Sequence, residues 1–120
     1  MNKKIENLKD ELIAYLQKHD MWQDVYIYCN GKCWGTSDKE MKHFRYGGEP
    51  FEYEDDPHRV TEYAGDILTM TFEGPLYEAL NYGCEYGDPW KTENDLQEMF
   101  KRYGLYYEMG ESWNLTACKI

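Results

Sequence analysis

The chain has 120 residues, 23 acidic and 13 basic, and a formal net charge of −10 at neutral pH. That length predicts one domain over residues 1–120, able to bury a core without disulfide or metal staples, and the charge disfavours direct contact with nucleic acid or an anionic membrane. Acids interrupt the N-terminal segment where a signal peptide has its apolar region, and no apolar run reaches membrane-spanning length, so a cytoplasmic location is expected.

Residues 3–19 place Ile5, Leu8, Leu12 and Leu16 on one stripe with Tyr15 beside it, which predicts an amphipathic packing helix. Glu6, Lys9, Asp10 and Glu11 form its solvated back. Residues 25–35 predict a β-hairpin, because Asn30-Gly31 favours a two-residue type I′ turn. Such a turn sets the register, pairing Cys29 with Lys32, Tyr28 with Cys33 and Ile27 with Trp34. Val25, Ile27, Cys29 and Trp34 then share one face, and Tyr26, Tyr28 and Cys33 the other. The two cysteines therefore neither bridge nor share a metal.

Residues 36–50 read as a polar connection ending in Gly47-Gly48-Glu49-Pro50. Residues 51–56 predict a short edge strand bounded by Pro57, with Glu52 and Glu54 on one face. Residues 60–64 and 67–72 flank Gly65-Asp66 and predict a type II′ hairpin pairing Tyr63 with Leu68 and Thr61 with Met70. Leu68, Met70 and Phe72 alternate with Thr69 and Thr71, the pattern of a strand with one dry and one wet face, and Glu62 falls on the wet one.

Gly74-Pro75 stops that strand and opens a short helix whose Leu76, Ala79 and Leu80 return to the sheet. Residues 81–90 are rich in glycine, aromatics and acid, and predict a surface loop in which Tyr82, Tyr86 and Trp90 either face solvent or cap the core. Thr92-Glu-Asn-Asp95 matches a capping box, followed by Leu96, Met99, Phe100 and Tyr103 at helical spacing before Gly104. Two strands, 105–109 and 113–118, close the chain. Helix-then-hairpin order thus occurs at both ends. The expected fold is α+β, a mainly antiparallel sheet with about three helices on one face.

Catalytic and metal chemistry find little support. Cys29, Cys33, Cys84 and Cys118 lack the close pairing of a zinc site, His43 and His58 are scattered, and free thiols are expected. There is no nucleophile elbow, Gly-rich phosphate loop or calcium loop, so no catalytic residue, metal or cofactor is assigned and an enzymatic role is disfavoured.

The charge distribution is more informative. Residues 49–98 hold 14 acids against Arg59 and Lys91, a local net of −12, whereas each flank is near +1. Such a field attracts basic partners and speeds their encounter. The expected function is an acidic binding protein that blocks a basic, nucleic-acid-handling partner such as a nuclease, toxin or DNA-binding protein. Glu52, Glu54, Asp55, Asp56, Glu62, Glu85 and Asp88 supply the charge, and Tyr53, Tyr86 and Trp90 the anchors. In charge and size the chain resembles the small acidic inhibitors of nucleic-acid enzymes, the immunity, antirestriction and anti-CRISPR proteins. The alternative is a small-ligand or small enzymatic domain with an aromatic-lined pocket covered by the loop from Tyr82 to Trp90. A concave cleft favours the ligand, a flat or convex acidic face the blocker.

Overall fold

The computed structural model describes residues 2–82 and 90–120. Its order is α1 (Lys3–Lys18), β1 (Val25–Cys29), β2 (Lys32–Gly35), β3 (Phe51–Glu54), a 3₁₀ turn (Pro57–Arg59), β4 (Thr69–Phe72), α2 (Gly74–Asn81), α3 (Lys91–Lys101), β5 (Leu105–Met109) and β6 (Asn114–Lys119). The strands form one antiparallel sheet in the order β3-β2-β1-β4-β6-β5. This is the expected α+β class, with the helix-then-hairpin unit at each end. No helix among the described residues is long and apolar enough to cross a membrane.

The β1-β2 hairpin forms as its turn dictates. Asn30 and Gly31 both take positive φ, 53° and 76°, as a type I′ turn requires. Tyr28 opposes Cys33 and Ile27 opposes Trp34, so Cys29 joins the core under the helices while Cys33 faces the other side. Leu8, Leu12 and Leu16 of α1, Leu76 and Ala79 of α2, and Leu96, Met99 and Phe100 of α3 close over Val25, Ile27, Met70, Phe72, Leu115 and Ala117. One face of the sheet is thus sealed by apolar area removed from water.

Three local expectations are corrected. Residues 60–66 form no strand, and β4 pairs instead with β1 and β6, Met70 opposing Ile27 and Leu115. The Gly65-Asp66 hairpin loses because β4 gains two full ladders from its neighbours, more paired backbone than one local partner supplies. Nor has β4 a wet face: Thr69 and Thr71 are both buried, and the Gly65 N–H donates to Thr69 Oγ1. Finally, α3 begins at Lys91, which puts Thr92 inside the first turn and buries it, with no side-chain cap bond. Asp95 bonds the Tyr15 hydroxyl at 2.7 Å and Lys91 at 2.9 Å instead, tying α3 to α1.

Candidate functional site

Side chains alternate along a strand, so Tyr26 and Tyr28 leave the helix side of β1. The ladders align Tyr28 with Cys33 and Thr69, Cys33 with Tyr53, and Tyr26 with Thr71. Phenols therefore collect on the helix-free face. Two connections rise beside them. Residues 36–46 are held by the Arg45 N–H donating to the Thr36 carbonyl at 2.8 Å, and by the Arg45 guanidinium 3.7 Å over the Phe51 ring. Residues 55–66 are held by the 3₁₀ turn and by the Gly65 N–H donating to Thr69 Oγ1 at 3.1 Å. Between them lies an open cleft of about 440 Å³, within the size range of small-ligand sites.

The cleft is polarised along β1. At the Tyr28 end, Lys39 donates to the Glu54 carbonyl at 3.0 Å, and Arg59 grips Asp55 through Nε and Nη2 at 3.0 and 2.6 Å. Tyr53 Oη accepts from Cys33 Sγ at 3.5 Å, which leaves the phenol proton available to a ligand. At the opposite end stand Asp24, Glu73 and Trp113. Asp24 precedes β1 and Glu73 follows β4, and their backbones join where the Glu73 N–H donates to the Asp24 carbonyl at 2.9 Å. Glu73 holds the N-cap position of α2 without capping it. Asp24 takes φ 57° and Met41, on the cleft wall, φ 58°. Left-handed backbone costs about 1–2 kcal/mol per non-glycine residue and gathers at binding sites.

Burial keeps the floor phenols neutral. Desolvation raises the pKa values of Tyr26, Tyr28 and Tyr53 above the ordinary phenol value, and it pushes the Cys33 thiol up to about 12. Tyr15 and Tyr107 are raised by burial in the same way. The folded chain thus holds these protons more tightly than the unfolded chain does. The stability this adds is complete below the unfolded phenol value, about 10, and is lost as pH rises through and beyond it. Denaturant midpoints should accordingly fall above about pH 10, with unfolding adding phenolate absorbance from the buried tyrosines to that of the exposed ones. A midpoint flat to higher pH, with all tyrosines ionising before the chain unfolds, contradicts this.

The acidic residues singled out by sequence do not form one free patch. Glu52 accepts from Lys32 at 2.7 Å and from Trp34 Nε1 at 3.0 Å, and these contacts, Lys32 first, hold its carboxyl below the usual range. The Arg59 fork does the same for Asp55, whose side chain is only 5% exposed. Asp56 is lowered first by the His58 N–H it caps, and its Oδ1 also meets the His58 ring at 2.8 Å. Glu54 and Glu62 are exposed, and among the described residues neither makes an ion pair within 4 Å. Tyr53 turns into the cleft, Trp90 is 65% exposed, and Tyr82 is 61% exposed beside the Tyr77 ring. Cys84, Glu85, Tyr86 and Asp88 lie outside the described residues.

Cys29, Cys33 and Cys118 are free thiols, and no three metal-ligating side chains converge among the described residues. Sequence reasoning placed Tyr26, Tyr28 and Cys33 on one face but missed the walls, Lys39 and Met41 from residues read as a polar connection, Val60 from a segment read as strand, and Arg59 from residues assigned to no element. No family model, curated protein or solved structure matches this chain.

Proposed function

We propose that this chain is a binding protein whose helix-free sheet face holds a small polar and aromatic ligand. The observation that carries the reading is the cleft, floored by Tyr26, Tyr28 and Tyr53 and walled by two pinned connections. Aromatic walls with a few fixed polar groups suit a ligand that presents a flat ring and hydrogen-bonding edges. The acid cluster at 52–56 argues the same way, because Lys32 and Arg59 already neutralise part of it from within.

A second reading, the blocker of a basic nucleic-acid-handling protein, rests on the net −12 of residues 49–98 and on exposed Glu54 and Glu62 with half-exposed Tyr63. One preparation separates the two. Native mass spectrometry of the freshly purified chain should find a small molecule that thermal denaturation releases. An empty chain that instead captures one basic protein from lysate, released by moderate salt, replaces the first reading with the second.

A further inference from the structure

The polarity of the cleft specifies its ligand more narrowly, an inference that rests on the ligand-binding reading. Among the described residues the cationic donors of the cleft sit at one end: the Lys39 ammonium, bonded to the Glu54 carbonyl, and the Arg59 guanidinium held by Asp55, with the Tyr53 hydroxyl beside them. Among the described residues no carboxylate lies within 4 Å of Lys39. Asp55 answers the Arg59 charge, so the Lys39 ammonium is the charge that an anionic oxygen group would meet at this corner. The other end offers acceptors, the Asp24 and Glu73 carboxylates. Asp24 Oδ1 takes the Tyr46 hydroxyl at 3.1 Å, and Glu73 is exposed to the cleft without a capping duty.

Asp24 and Tyr28 are four residues apart, about 13 Å along an extended strand. A ligand touching both ends therefore carries its anion and its N–H donors at opposite extremes, with a body that lies on phenol rings and reaches Trp113. Neutral sugars lack the anion. Strand addition by a peptide needs a sheet edge, whereas this cleft is floored by a sheet face. We infer that the cleft binds a nucleoside monophosphate, with the phosphate at Lys39 and Tyr53, the base on the aromatic floor, and its N–H edge at Asp24 and Glu73. Carboxylates accept from base N–H groups, and rings stack on aromatic side chains, in just this division of labour.

The test is an NMR titration of the full chain with GMP, AMP, CMP, UMP, guanosine, orthophosphate and glucose. GMP, whose base presents adjacent N–H donors, should bind tightest and shift the amides of Tyr26, Tyr28 and Glu73. Lys39→Gln should weaken GMP about tenfold, the equivalent of one charge-assisted hydrogen bond, and leave guanosine unchanged. Glu73→Gln should weaken both alike. Both positions are exposed, so unchanged spectra away from the cleft will show that each variant folds. Glucose or guanosine binding as tightly as GMP, or Lys39→Gln weakening both alike, overturns the nucleotide inference and leaves the ligand reading intact. If no probe moves the cleft amides and no small molecule co-purifies, both fall.

Discussion

Phe100→Ala should lower stability by about 3–5 kcal/mol, the range for emptying a fully buried aromatic site. Phe100 is 0% exposed on α3 and meets Tyr107 of β5 edge to face, ring centres 5.3 Å apart. Its side chain joins α3 to the sheet, while the Tyr15–Asp95 bond joins the same helix to α1. Truncation therefore opens a void where three elements meet, and rigid ladders on one side prevent collapse. Urea unfolding should show a lower midpoint at unchanged slope. A loss below about 1 kcal/mol indicates that α3 relaxes onto the sheet and that the helix layer is less tightly packed than its burial implies.

Gly35→Ala should destabilise the chain by about 1–3 kcal/mol, although alanine ordinarily improves on glycine in a strand. A Cβ at Gly35 would come within 2.8 Å of Tyr26 Cε1, closer than carbon atoms approach. The ring has little freedom to yield, because its hydroxyl is bonded to Ser37 Oγ at 2.6 Å. It must swing off β2, and the cleft it lines offers open space beside it. Ligand affinity should fall at least tenfold with stability. In a Tyr26→Ala background the clash disappears, so the cost of Gly35→Ala should shrink to a few tenths of a kcal/mol, a coupling read from a double-mutant cycle. Additive effects show that the ring and the glycine do not constrain each other.

How far these features were legible depends on the distance between cause and consequence. The Asn30-Gly31 turn acts over two residues and fixes the β1-β2 register atom by atom, so Cys29 and Cys33 were separable in advance. The stripes of α1 and α3 are likewise local, and Leu8, Leu12, Leu16, Leu96, Met99 and Phe100 are buried as their spacing requires. Gly65-Asp66 carries a similar local signal, yet it forms no hairpin, because β1 and β6 compete for both edges of β4. Acid count misled in another way. Formal charge ignores pairing, and Arg59, four residues beyond Asp55, neutralises it from a turn that sequence reading assigned to no element.

Sequence by itself determined the α+β class, the apolar face of the sheet and the two terminal helix-hairpin units, because periodicity and tight turns encode those within a few residues. Tertiary structure alone decided the strand order, the seating of Gly65 on Thr69, and hence the cleft. Its floor comes from three strands and its walls from two connections, one read as a polar connection and the other carrying a strand signal that the fold overrides. Side chains that meet only after the chain has folded on itself have no spacing to announce them.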